Sequence, residues 1–172
     1  MQREIAPVSG VEETIVGIGF AIPYMPEGGF ALMPGGQGAI RWPANENRTA
    51  VVDESHLPIH DNSLDKVIVI HALEYCVDVR GFLREIWRVL KPEGRAAFIA
   101  PNRMRPWAGV SLGGQRFFKG ELSLLLADNM FVVEKSSGGF GRAVIIEARK
   151  RIYAGSGGSG LQKALATVPV TG

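Results

Sequence analysis

The sequence predicts an α/β fold, a doubly wound, mostly parallel sheet flanked by helices. Three observations carry this. Residues 66–73, KVIVIHAL, are apolar at successive positions, the mark of a strand buried on both faces. Residues 95–100, RAAFIA, form a second such run, closed by Pro101 and Asn102. An amphipathic helical pattern lies between them, so strand, helix and strand follow within about 35 residues, the βαβ unit of a parallel sheet.

The remaining elements follow in chain order. Residues 14–20, TIVGIGF, predict the first strand, and residues 30–33 the second. Only AIPYMPEGG separates them. A crossover that contains a helix needs about 10 to 12 residues. Pro26, Gly28 and Gly29 also oppose a helix here, so the first crossover helix is expected to be shortened or missing. Residues 49–52 predict a third strand. Asp61-Asn62-Ser63 is a turn before the strand at 66–73. Asp78 is placed to cap the central helix, with Phe82, Leu83, Ile86, Trp87, Val89 and Leu90 facing inward and Lys91-Pro92-Glu93-Gly94 ending it. A second helix is expected over 121–128, with Leu122, Leu125 and Leu126 inward. Residues 131–134 and 143–148 are expected to pair as antiparallel strands through the turn cluster Ser136-Ser137-Gly138-Gly139. The folded domain is expected to span 1–154, and GSGGSGLQKALATVPVTG, 155–172, reads as a flexible tail.

Composition narrows the function. A chain of 172 residues that is 46% hydrophobic holds one full core. A net charge of +2 does not argue for a nucleic-acid partner. Cys76 is the single cysteine, which excludes an internal disulfide and a thiolate metal cluster and suits a reducing, cytoplasmic setting. With three histidines and no clustered spacing, no metal site is expected. No apolar core of a signal peptide follows Met1, and no apolar run approaches the roughly 20 residues that cross a bilayer.

One stretch carries a denser signature. Leu57-Pro58, Asp61, Ser63 and Asp65 precede the central strand, and Leu73-Glu74 follows it. Arg88-Val89-Leu90-Lys91-Pro92 and Gly94 end the helix, and Pro101-Asn102 ends the next strand. In this register residues 57–102 strongly resemble class I S-adenosylmethionine-dependent methyltransferases of the small-molecule, type 11-like group. The resemblance continues more weakly over about 13–153. It implies a Rossmann-like sheet, S-adenosyl-L-methionine as cofactor and methyl transfer to a small or lipid-like metabolite. Each matched residue also has a purely structural reading as a turn or a helix stop.

In that family the first strand ends in a loop of an acidic residue and three alternating glycines. Aligned on the strand, Gly17 takes the acidic position, Gly19 the first glycine, and Ala21 and Pro23 the others. The carboxylate that family members commonly place at the end of the second strand, for the ribose hydroxyls, is replaced by Met33-Pro34. Asp53, with Glu54 beside it, matches the acidic position near the adenine amino group. The resemblance thus implies cofactor contacts at Gly17, Gly19, Ala21, Asp53, Glu54 and His71, in an eroded pocket that binds the cofactor weakly.

His71 and Glu74 stand at the carboxyl end of the central strand, where ligands bind in open α/β sheets. His71 can act as a general base, or it can cap the strand by bonding backbone. Tyr24, Trp42 and Trp107 can form an aromatic wall or pack. In the loop after Asn102, Arg105 and Arg116 lie among Trp107, Phe117 and Phe118, a pattern able to hold an acidic small molecule, to stack and clamp RNA, or to stand as a plain solvated loop. Tyr24, Arg105, Trp107 and Arg116 are the candidate substrate contacts. Two functions follow: a methyltransferase acting on a small molecule, or a non-catalytic binding or partner subunit of the same fold. A protein partner or a second copy can supply the missing helix against residues 21–29.

Overall fold

The sheet is built outward from the strand whose two faces are both apolar. The computed structural model describes residues 13–26, 30–38, 47–103, 117–138 and 143–152. Seven strands run through them: β1 (Ile15–Gly19), β2 (Phe30–Pro34), β3 (Thr49–Val52), β4 (Leu64–Ile70), β5 (Leu90–Pro101), β6 (Phe131–Ser137) and β7 (Ala143–Lys150). Their order is β3-β2-β1-β4-β5-β7-β6, with β4 at the centre. Pairings from β3 through β5 are parallel, and β7 runs antiparallel to both β5 and β6. The expected central strand and the closing antiparallel pair are both present. Ser136 and Ser137, expected in the turn, belong to β6, while Gly139 lies outside the described residues.

Register sorts the side chains by face. Val16 and Ile18 of β1 share one face with Val67 and Val69 of β4, Ala96 and Phe98 of β5, and Ile146 and Ala148 of β7. These form one core with Phe82, Leu83, Ile86 and Val89 of helix α1 (Val79–Val89) and Leu122 and Leu126 of helix α2 (Lys119–Asp128). Phe98 and Phe131 meet edge to face at 5.9 Å within it. The second face has no described α-helix in that core. At its β1–β2 side Ala31 and Met33 are buried outside the main core. Further along, Ile68, Ala97 and Ile99 are half-buried and Ile145 is exposed. Among the described residues of the connection from β1 to β2 there is one 3-10 turn, Ile22–Tyr24, in keeping with the shortened helix expected there.

Helix α1 starts as its sequence directs. Asp78 caps it, with its carboxylate accepting from Gly81 N–H at 2.9 Å. It ends one residue earlier than expected. Leu90, expected on the helix, instead begins β5 and pairs with Leu64. Residues 91–94 then loop out before pairing resumes at Lys66 and Arg95. Glu93 takes a positive φ of 64° there, and a Cβ on Gly94 would come within 2.8 Å of the Lys91 carbonyl. This tight bulge explains the glycine. Lys150, at the end of β7, is buried, and its Nζ donates to the Leu90 carbonyl and Asn62 Oδ1, both at 2.7 Å, while lying 3.9 Å from the Trp87 ring centre. It ties β7 to the turn before β4 and to the junction of α1 with β5.

Candidate functional site

Four neighbouring strand ends make the site. In sheet order, Asp53 follows β3, Gln37 lies in the turn after β2, Gly19 ends β1, and His71 follows β4. All four stand at carboxyl ends of parallel strands, the edge at which open α/β sheets hold ligands.

Gly19 has φ +72°, and a Cβ there would collide with the Ile70 carbonyl and stand 3.1 Å from both Ala72 Cβ and Gln37 Oε1. The next amide, Phe20 N–H, donates to that same Ile70 carbonyl at 2.9 Å. The chain turns away from the sheet here, and only glycine fits the turn. Gly17 differs. Its Cβ position lies 2.8 Å from Ala21 Cβ and from Met25 Sδ, so the chain itself fills that space. Ala21 is fully buried beneath the following 3-10 turn, which carries Pro23. Tyr24 on that turn is 65% exposed and free of packing partners in the core.

His71 is held from three sides. Its φ is +52°, a conformation rare for a residue with a side chain, which the surroundings must enforce. Its N–H donates to the Ile99 carbonyl at 2.9 Å. Its own carbonyl accepts from Gln37 Nε2. Its ring Nδ1 lies 2.7 Å from Glu74 Oε1. Glu74 comes from the 3-10 turn Leu73–Tyr75, and its side chain is only 2% exposed. The hydrogen bond from Glu74, reinforced by its charge, raises the His71 pKa against the opposing effect of burial. Donation from Nδ1 to the carboxylate leaves Nε2 as the acceptor of the neutral ring. Two buried oxygens nearby, Glu74 Oε2 and Gln37 Oε1, have no hydrogen-bond partner among the described residues. The predicted His71 and Glu74 are thus brought together. Gln37 carried no signal in the sequence, because one glutamine among glycines belongs to no pattern.

Asp53 is exposed, and its Oδ1 accepts from Ser55 N–H at 2.8 Å and Ser55 Oγ at 2.6 Å, which holds its pKa below the usual range. Glu54 is half-buried. Burial, with Glu54, Glu74 and Asp78 adding to it, pushes the Cys76 thiol up to about 12, so it is inert as a nucleophile. Arg105, Trp107, Arg116 and Trp42 lie outside the described residues, as do the domain end at 154 and the tail. Asn102 and Phe117, which flank the first three in the sequence, form a bridge. Among the described residues no group of three or more His, Cys, Asp or Glu side chains is placed to hold a metal ion, and no helix is long and apolar enough to cross a membrane.

The signature residues at 57–102 mostly pair with one another. Arg88 donates to Glu85 Oε2 at 2.8 Å, Asp61 Oδ1 at 2.5 Å, and the carbonyls of Leu57 and Ile59 at 3.0 and 2.9 Å. Lys91 pairs with Asp65 at 2.7 Å. These pairs brace the turn before β4 against α1. The structural reading of the motif therefore holds for them, while Glu74 bonds the His71 ring.

The methyltransferase-domain family model matches residues 38–98. A comparison with curated proteins finds no match. Among solved structures, the chain is similar to one from the Haloferax volcanii complex between the Trm112 methyltransferase activator and a methyltransferase, with TM-score 0.66, 17% identity, and 82% and 83% of the two chains covered. It is similar to an S-adenosylmethionine-dependent methyltransferase of Thermotoga maritima at TM-score 0.66 and 18% identity, covering 86% and 84%. It is also similar to the Burkholderia thailandensis 1,6-didemethyltoxoflavin-N1-methyltransferase, solved with its substrate and S-adenosylhomocysteine, at TM-score 0.60 and 18% identity, covering 81% and 72%. The methyltransferase-domain match over residues 38–98 and the seven-stranded sheet make the chain similar to class I S-adenosylmethionine-dependent methyltransferases, with which it shares the fold.

Proposed function

We propose that the chain is a methyltransferase that uses S-adenosyl-L-methionine and methylates a small molecule, with His71 as general base. The observation that carries this is the His71–Glu74 pair, set beside Gly19 at the ligand-binding edge. The residues fit the cofactor: an unpartnered buried acceptor, Gln37 Oε1, faces the turn at Gly19. When bound, the cofactor supplies an activated methyl group. Glu74 fixes the imidazole, and Nε2 takes the proton from the acceptor's N–H or O–H. Gly19 lets the ligand run close to backbone, with Gly17 and Ala21 supporting the turn from below. Asp53 and Glu54 border the adenine end. Tyr24, Arg105, Trp107 and Arg116 are our proposed substrate contacts. The single buried cysteine suits a cytoplasmic location.

The affinity expected is low. Pro34 ends β2 without a carboxylate, and a three-residue 3-10 turn replaces the helix whose N-terminus would face the cofactor carboxylate. Loss of one charge-assisted bond removes roughly 1.5 to 3 kcal/mol. Titration calorimetry with S-adenosylmethionine should give a Kd weaker than about 10 µM. Sub-micromolar binding would contradict the weak site, and no heat at millimolar ligand would contradict the enzyme.

One observation favours a second reading, a non-catalytic subunit of the same fold. Met25 Sδ and Ala21 Cβ occupy the space beside Gly17. A protein partner or a second copy then covers the open sheet face near the 3-10 turn, and sedimentation of the full chain reads the assembly directly.

A further inference from the structure

We propose that the chain covers part of its own open sheet face: residues 161–168 of the tail form a two-turn helix that docks over Ile68, Ile99 and Ile145.

Register builds the docking surface. Ile70, Ile99 and Ile145 are partners on β4, β5 and β7, so they stand in one row across three strands. Ile68 and Ala97 lie one pleat repeat behind them on the same face. Exposure grows along the row: Ile70 is 4% exposed, Ile99 is half-buried and Ile145 is 41% exposed. The opening therefore lies over β5 and β7. Helices α1 and α2 both serve the core on the other face, and an apolar sheet face calls for a second layer.

The chain that leaves β7 names the occupant. Strand β7 runs antiparallel to β5 and ends at Lys150, on the edge opposite the site. The tail beyond it carries its own helix signals. Ser159 and Gln162 have the Ser-x-x-Gln spacing of a capping box. Leu161, Ala164, Leu165 and Val168 follow at i, i+3, i+4 and i+7, one apolar helical face, and Pro169 ends the pattern. Lengths agree as well. The row from Ile70 to Ile145 spans two strand spacings, about 10 Å. A helix from Leu161 to Val168 rises about 10 Å. Residues 151–158 join β7 to the cap, and a flexible chain of that length has an r.m.s. reach of about 14 to 17 Å. From Lys150 back to Ile145 the strand covers about 17 Å. A linker whose reach matches the span gives the highest effective concentration of the tail at the face. Residues 1–12 fit less well, since they enter at β1, three strands from β7, and Pro7 and Gly10 interrupt any helical pattern there.

The test uses the full chain with a nitroxide on Lys163→Cys, a position opposite the apolar face of the pattern, and with isoleucine methyl groups labelled for NMR. Cys76 is buried, so the nitroxide goes to the new thiol. The Ile68, Ile99 and Ile145 signals should lose most of their intensity, while Ile86, in the core on the other face, keeps more of its own. Adding Leu161→Asp and Leu165→Asp, both outside the described core, should restore the three signals. Three results overturn the inference. In the first, Ile145 loses nothing, so the face is open or another segment covers it. In the second, the loss survives the two aspartates or falls evenly on every isoleucine. In the third, the loss appears when a nitroxide chain without isotope is mixed with an isotope-labelled chain without nitroxide, so the tail of a second copy sits there.

Discussion

At the scale of the residue, His71 is the proposed base. Its sequence position at the end of an apolar strand marked it, but left both base and backbone cap open. In the structure the amide bonds the Ile99 carbonyl and the ring bonds Glu74, an arrangement that suits the proposed base. Glu74 raises the His71 pKa above 6.5. A base must be neutral, so the methyl-transfer rate should climb with pH through a midpoint above 6.5. Stability moves the other way. A raised folded-state pKa stabilises fully below the unfolded value and is lost as pH rises through the folded one. Glu74→Gln removes the charge and the strong acceptor, so the midpoint should fall. Titration of the His71 ring signals by NMR checks this in wild type and variant. An unmoved midpoint would show that Glu74 does not govern the ring.

At the scale of the element, α1 shows how much local sequence decides. Asp78 caps it in the way its position predicts, and the absence of a side chain at Gly81 leaves room: a Cβ there would lie 2.5 Å from Asp78 Oδ2. Asp78→Ala should cost about 1 kcal/mol in urea unfolding, and Asp78→Asn much less, because asparagine also caps. The helix end was less legible. Leu90 fits the apolar helical spacing, yet the parallel pairing of β5 with β4 claims it for the sheet. Strand β5 is pulled back to Leu90 by Leu64, 26 positions earlier, and no local pattern records that. Helix α2 is legible from Leu122 and Leu126, and Glu121 adds a bond to Phe118 N–H at its start, at 3.3 Å.

At the scale of the whole molecule, the brace around Arg88 joins the turn before β4, helix α1 and the entry to β5. Arg88→Ala removes the donor of five hydrogen bonds to four residues at once, from a side chain 30% exposed. Loss of about 2 to 4 kcal/mol is expected in urea unfolding, with Arg88→Lys recovering only part, since an ammonium cannot span the same fork. Glu85, bonded by Arg88, has a pKa held below 4.5, so its contribution is present above that value and fades as pH falls through the folded one. The acid-unfolding transition should therefore be less steep in Arg88→Ala. An unchanged urea midpoint would mean that the brace is solvated and adds little.

The sequence by itself determined the strands, the central helix with its cap, and the shortness of the first crossover. Each of these is a local pattern: apolar runs, a capping carboxylate, too few residues between two strands. Burial of a strand on both faces is written in its own residues, because every position must be apolar. Only the tertiary structure decided which charges pair and which oxygens are left alone. Asp61 meets Arg88, and Lys150 meets Asn62, across 27 and 88 positions. Gln37 reaches His71 across 34 because β2 and β4 flank β1 and bring their ends to one edge. Strand order sets such meetings, and strand order arises from the packing of the whole sheet rather than from the periodicity of any one segment.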